Sequence, residues 1–291
     1  MNEIPSWIAS WPHVIHEARS FKRVDSAGVS SDVWIVADKA GKAFVYRKSN
    51  MVAERALARK SILDALCASQ PRWFPTDFET QVDRSALLTK YRWIEVEDRQ
   101  VLSLAGSLDV VKDLHSVRSS TRVNSSYLNL ETTNLGVIPN VFSNVGYAVA
   151  VLDDLNANEL KSRILNNYGR LTHGDAKSDN LLSSKFGPIL IDWDKCNSLC
   201  PSADILIAIF TSDCSIAGKV QMLSDWGQYN GVEGAPTVHE CILVLPALFT
   251  LYDFIKADVS PARKQYFNSW VYPRWCDWIG VVRCILPGGI L

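Results

Sequence analysis

Long apolar runs, basic blocks and closely spaced cysteine pairs are all missing from this 291-residue chain. The longest apolar stretch, Cys241 to Tyr252, is too short to cross a bilayer and contains Pro246. It is expected to form a buried, kinked helix. With 30 basic and 31 acidic side chains the net charge is −1, and neither sign is gathered in a run. Nucleic acid and anionic membrane are thereby excluded as general partners. The first residues lack the basic-then-apolar pattern of a secretory signal. Seven cysteines, an odd number without close pairs, point to a reducing compartment, so a cytoplasmic location is expected. Cys196 and Cys200 lack both zinc-site spacing and a nearby histidine. No internal repeat or low-complexity tract is visible, and the apolar content suffices for one large or two small cores.

What the chain does have is concentrated between Leu171 and Asp204. Thr172-His173-Gly174-Asp175-Ala176-Lys177-Ser178-Asp179-Asn180 is followed by the apolar run Ile189-Leu190-Ile191 ending at Asp192. A carboxylate on a tight loop can receive a hydroxyl proton. An amide oxygen and a second carboxylate close by are hard oxygen donors suited to Mg²⁺. The alternative is a polar loop feeding a buried strand, with its acids there for turn chemistry. The spacing favours phosphoryl transfer.

These residues resemble the aminoglycoside phosphotransferase and choline kinase family, small-molecule kinases built on the protein-kinase fold. The close match covers about Leu171 to Asp204, with weaker matches upstream. The resemblance implies an α+β fold of two lobes, an antiparallel β-sheet lobe followed by a larger, mainly helical one. It implies ATP (or GTP) and Mg²⁺ as cofactors and a small-molecule hydroxyl as acceptor. By the same resemblance Asp175 is the catalytic base, and Asn180 and Asp192 are the metal ligands. His173 would brace the loop, and Lys177 would meet the transferring phosphate or else be a solvated surface lysine. Asp194 would add a metal contact or cap the following turn, the turn being favoured. Asp204, in Pro201-Ser202-Ala203-Asp204, would start an apolar helix and brace the catalytic loop.

Upstream, Ser31–Ala37 and Ala43–Arg47 alternate apolar and polar residues around the turn Asp38-Lys39-Ala40-Gly41, which reads as a β-hairpin. A period of two puts Val45 and Arg47 on one face and Lys48 on the other. Arg47 is therefore the candidate cation over the nucleotide phosphates, where kinases usually carry lysine. Ser49 or Asn50 is expected to cap the next helix. Glu54, the one acid in its first half, is the candidate partner for Arg47, with helix-dipole complementation as the alternative. The loop Ser26-Ala27-Gly28-Val29-Ser30-Ser31 holds a single glycine, so Ser30, Ser31 and backbone N–H groups are the candidate phosphate contacts. That departure, with no Ala-Pro-Glu element and no long activation loop, argues against a protein substrate.

The boundary is expected after Arg92: residues 1–92 as the nucleotide-covering lobe, 93–291 as the helical lobe with catalytic loop and acceptor pocket. Leu102–Val117, Val145–Leu155 and Ala157–Tyr168 read as helices, Ser119–Asn140 as loop or insertion, and His115 as a packed side chain. The C-terminal third balances acids and bases, unlike a pocket built for polycationic aminoglycosides. It is rich in aromatic residues, among them Trp270 and Trp275, which either pack between helices or line a pocket for a quaternary ammonium or apolar hydroxylated acceptor. Two rivals are a nucleotide-binding pseudokinase without phosphotransfer activity and a metal-dependent hydrolase.

Overall fold

The structure, a computed structural model, describes residues 5–11, 18–24, 31–93, 104–119, 157–184, 187–257 and 260–286. Ser30, most of the loop around it, and the segments expected as loop over 120–140 and helix over 145–155 lie outside the described residues.

The N-terminal part is a five-stranded antiparallel sheet with one long helix. Its strands are β1 (Ala18–Arg23), β2 (Ser31–Asp38), β3 (Ala43–Asn50), β4 (Glu79–Asp83) and β5 (Ala86–Arg92), in the order β1-β2-β3-β5-β4. The β2–β3 hairpin turns at Asp38–Lys42, where Gly41 takes φ +80°. Alternation sorts the two faces. Trp34, Val36, Tyr46 and Leu88 pack under Trp7, Ile8 and Trp11 from the short helix α1 (Ser6–Ala9) and the turn after it. Val45, Arg47 and Ser49 face the other way, with Arg47 opposite Val33 and Thr89.

Helix α2 (Ala53–Ser69) follows β3. Its N-cap is Val52, with no side-chain cap, so neither Ser49 nor Asn50 fills the expected role. The physical reason is that β3 pairs with β5 through Asn50, which leaves the Ser49 hydroxyl on the strand face rather than at the helix start. Ile62, Leu63 and Leu66 bury one side of α2.

The remainder is mainly helical: α3 (Leu104–Leu114), α4 (Ala157–Leu165), α5 (Pro201–Thr211), α6 (Ile216–Trp226), α7 (Val238–Cys241), α8 (Val244–Ala257), α9 (Pro261–Tyr266) and α10 (Tyr272–Ile285). A two-stranded hairpin, β6 (Leu181–Ser184) and β7 (Gly187–Leu190), interrupts it between α4 and α5. Every residue of α5 is buried, which makes it the axis of this core. The stretch Val238–Ala257 is long and apolar enough to cross a membrane, longer than the run read from sequence, yet most of it is buried within the fold. The run is buried and interrupted as expected: it breaks at residues 242–243, where the Pro246 ring opposes the carbonyl four positions back, and Pro246 itself lies in the first turn of α8, where its missing N–H costs nothing. A π turn at Phe267–Val271 joins α9 to α10 just before Pro273, whose ring disfavours a regular bond to the residue four positions back.

Candidate active site

The loop Thr172–Asn180 is held by Asp204, in the first turn of α5. Its two carboxylate oxygens accept the backbone N–H groups of His173 (2.6 Å) and Gly174 (2.8 Å). Asp204 also meets His115 Nε2 at 3.2 Å, while His115 Nδ1 lies 2.8 Å from the Tyr229 hydroxyl. His115 is 2 % exposed, a packed side chain as expected. His173 is fully buried, and its Nε2 lies 2.9 Å from the Ile191 carbonyl, which ties the loop to the residue before Asp192. Its ring meets the edge of Trp193, which stacks on Trp73. A reciprocal pair of backbone bonds between Thr172 and Asn197 closes the far end.

Gly174 cannot be replaced without movement. Its φ is +76°, and a Cβ there would stand 2.2 Å from the Lys195 carbonyl oxygen. This close approach places Lys195 over the loop. Lys195 Nζ lies 2.9 Å from Asp175 Oδ2, and Lys177 Nζ lies 3.7 Å from the same oxygen. Burial raises the Asp175 carboxyl, but the two lysines outweigh it and hold the group below the usual carboxylate range. Asp175 raises both lysines in return, against the opposing effect of their own burial.

The β6–β7 hairpin brings Asn180 and Asp192 into the same region. Ile191 N donates to the Asn180 carbonyl at 2.9 Å, and the Asn180 side-chain amide donates to the Asp175 carbonyl at 2.8 Å. Asp192 adopts φ 65°, ψ 60°, a left-handed conformation uncommon outside glycine and tolerated by aspartate. Strained backbone of this kind collects at functional sites.

Arg47 reaches across from β3. Its Nη1 is 2.9 Å from Asp192 Oδ1 and its Nη2 2.7 Å from Asp194 Oδ2. Ser49 and Ser31 add hydroxyl contacts to Asp194 at 2.6 and 3.1 Å. Burial works against the Arg47 charge, and the two aspartates more than restore it. Asp194 therefore neither caps its own turn nor stays with it: its side chain joins the sheet to the loop. Glu54 is exposed, and the ion pairs of Arg47 run to Asp192 and Asp194 instead. The expected Arg47–Glu54 pair is thus not formed. The α2 residues facing the cleft are Arg55 and the buried Arg59, because Glu54 falls on the solvent side of the helix. Burial lowers the Arg59 pKa.

Of these groups, Arg47, Ser49, Asp175, Lys177, Asp192, Asp194 and Lys195, with Arg55 and Arg59, line a cleft of about 230 Å³, whereas Asn180 and Ser31 do not reach its surface. The helical wall contributes Phe249, Tyr252, Asp253 and Lys256 from α8 and Arg263 and Tyr266 from α9. Lys48 is not among the lining residues, so Arg47 is the strand cation that reaches the cleft. Trp275 is 1 % exposed and packs in the core; it does not reach the cleft. Trp270 stacks on Tyr266 with Arg274 above it, and its ring lies 6.0 Å from Lys177 Nζ. Phe249, Tyr252 and Tyr266 are among the C-terminal aromatic residues for which packing or pocket lining is expected, and these three line the cleft; Lys195, Arg55, Arg59, Asp253, Lys256 and Arg263 are not indicated by the sequence. Arg55 and Arg59 are one helical turn apart and could have been read as a shared face; Lys256 and Arg263 carry no local signal.

Residues 23–239 match the family profile APH, the phosphotransferase enzyme family. A search of the curated proteins gives no match. Among solved structures, the chain is similar to a choline/ethanolamine kinase family protein from Mesorhizobium loti: 16 % identity, 95 % and 92 % of the two chains covered, TM-score 0.58. It is similar to the choline kinase LicA from Streptococcus pneumoniae, at 14 % identity, 90 % and 93 % coverage and TM-score 0.57. A thermostable mutant of aminoglycoside phosphotransferase APH(4)-Ia, solved with AMP-PNP and hygromycin B, aligns at 12 % identity, 96 % and 99 % coverage and TM-score 0.58. These likenesses establish the two-lobed protein-kinase-like fold. The chain belongs to the APH phosphotransferase enzyme family.

Proposed function

We propose that this protein is an ATP- and Mg²⁺-dependent kinase that moves the γ-phosphate to a hydroxyl of a small molecule. The observation carrying the proposal is the convergence of Asp175, clamped by Lys195 and Lys177, with Asp192 in a cleft roofed by Arg47; Asn180 lies buried just behind Asp175, bonded to its carbonyl. The reading assigns residues 1–92 to the nucleotide-covering lobe and 93–291 to the lobe with the catalytic loop and acceptor pocket.

Asp175 accepts the proton of the acceptor hydroxyl. The freed oxygen forms a bond to the γ-phosphorus as the bond to the ADP oxygen breaks, and ADP leaves with the electron pair. Lys177 and Lys195 offset charge on the transferring phosphoryl group, and Arg47 orients the inner phosphates with Ser31. Asn180 and Asp192 fit a divalent cation, because both offer hard oxygen donors and the Asn180 NH₂ is already committed to the Asp175 carbonyl. Among the described residues no group of three or more His, Cys, Asp or Glu side chains could hold a metal, so the ion would share its ligands with substrate phosphate. When bound, Mg²⁺ would supply charge neutralisation between the phosphates.

Asp192→Ala should cut Mg·ATP-dependent turnover by ~10²-fold or more and weaken Mg-dependent nucleotide binding, measured by ADP formation and calorimetric titration. Turnover within a few-fold of wild type would remove Asp192 from the metal site.

A further inference from the structure

The charge of the cleft is distributed unevenly, and this bears on the acceptor. Three of its carboxylates are already matched: Asp175 by Lys195 and Lys177, Asp192 and Asp194 by Arg47. The helical wall opposite the sheet adds one acid, Asp253, which is 8 % exposed. Burial raises its pKa, with Lys195, Arg263 and Lys177 pulling the other way. The same wall adds two cations. Lys256 lies one turn after Tyr252 on α8 and meets its hydroxyl; Arg263 lies one turn before Tyr266 on α9. Among the described residues neither cation has a carboxylate within 4.0 Å, and both line the cleft.

A polycationic or quaternary ammonium acceptor would bring positive charge against Lys256 and Arg263, with only one buried acid to receive it. A hydroxylated anion has the complementary charge. Its carboxylate or phosphate would be held by the ammonium and guanidinium, and Asp253 would accept a bond from one of its hydroxyls. Tyr252 and Tyr266 would border its carbon skeleton.

We propose that the acceptor is a small polyhydroxylated anion, bound through its carboxylate or phosphate by Lys256 and Arg263 so that a remaining hydroxyl reaches Asp175. The proposal rests on the kinase reading above and narrows it. It leaves Arg55 and Arg59, on the opposite wall, to the nucleotide.

The test is ADP release by the full-length protein with Mg·ATP and four probe acceptors: D-gluconate, glycerol 3-phosphate, D-glucose and choline. Gluconate or glycerol 3-phosphate should give a kcat/KM about ten-fold or more above glucose and choline, as expected for a charge-assisted contact. Gluconate alone would identify a carboxylate site and glycerol 3-phosphate alone a phosphate site. In K256A and R263A the acceptor KM should rise about ten-fold while the KM for ATP and the melting temperature stay at wild-type values. Choline or glucose used as well as the anions, no acceleration by any probe in a protein that binds Mg·AMP-PNP, or a raised KM for ATP in the variants would each overturn the proposal and leave the kinase reading standing. Failure of the wild-type protein to bind Mg·AMP-PNP would instead defeat the kinase reading beneath it.

Discussion

Asp175 sits under two opposed influences, burial and a pair of lysines, and the lysines win. With its carboxyl below the usual range, Asp175 stays ionised through mildly acidic pH; if it is the base proposed above, the acid limb of the kcat profile should lie below the ordinary carboxylate range near pH 4. Lys195, at 2.9 Å, is the nearer of the two cations. Lys195→Met should therefore move that acid limb to higher pH as well as lower kcat, since burial would then act with less opposition. A pH profile measured under saturating substrate checks this; an unshifted limb with lowered kcat would mean that Lys195 acts on the phosphate alone. Arg47 shows the same logic with the signs reversed, its buried charge kept by Asp194 and Asp192.

At the scale of elements, one helix N-terminus carries the loop. Asp204 satisfies two buried N–H groups, and Asp204→Ala would strand both. At ~1–3 kcal/mol for each unsatisfied group the variant should lose about 2–6 kcal/mol of stability, read from urea unfolding. Asp204→Asn, which keeps one acceptor oxygen, should lose less. The aromatic residues of the last helices divide by depth. Trp275→Ala should cost about 3–5 kcal/mol as a core truncation and leave the acceptor KM unchanged in the folded fraction. A raised KM without loss of stability would return Trp275 to the pocket.

This division also shows what the sequence could reveal. The segment from Thr172 to Asp204 was legible because its chemistry is local: a glycine that admits the Lys195 carbonyl, a short hairpin that sets Asn180 beside Ile191, and a helix-starting acid. The strand period likewise separated Arg47 from Lys48. Glu54 stands out in sequence as the one acid in the first half of its helix, whereas the helical rotation turns Arg55 and Arg59 to the cleft and Arg47 pairs with Asp192 and Asp194. Asp194 was underestimated because its partners, Ser31, Arg47 and Ser49, are remote in sequence. No local pattern announces a contact of that range. Lys256 and Arg263 escape the sequence for the same reason, and the aromatic pattern does not tell Tyr252 from its packed neighbours: the packing of α8 and α9 decides which side chains line the cleft.

For the whole molecule, the sheet and the helical part meet through charge at the mouth of the cleft. Arg47 joins β3 to Asp192 and Asp194, while α2, β4 and β5 share the core with the helices. Membership of the APH family agrees with that layout, since the family profile runs from β1 through α7 and spans both parts. The central claim is that this cleft transfers a phosphoryl group with Asp175 as base. Its most direct test is acceptor-dependent ADP formation from Mg·ATP in the wild-type protein and in Asp175→Asn, across hydroxylated anions, sugars, amino alcohols and antibiotics. An acceptor should accelerate ADP formation in the wild type, and the variant should lose about 10²–10⁴-fold in kcat while still binding Mg·ATP. An Asp175→Asn protein that phosphorylates the same acceptor at the wild-type rate would contradict it.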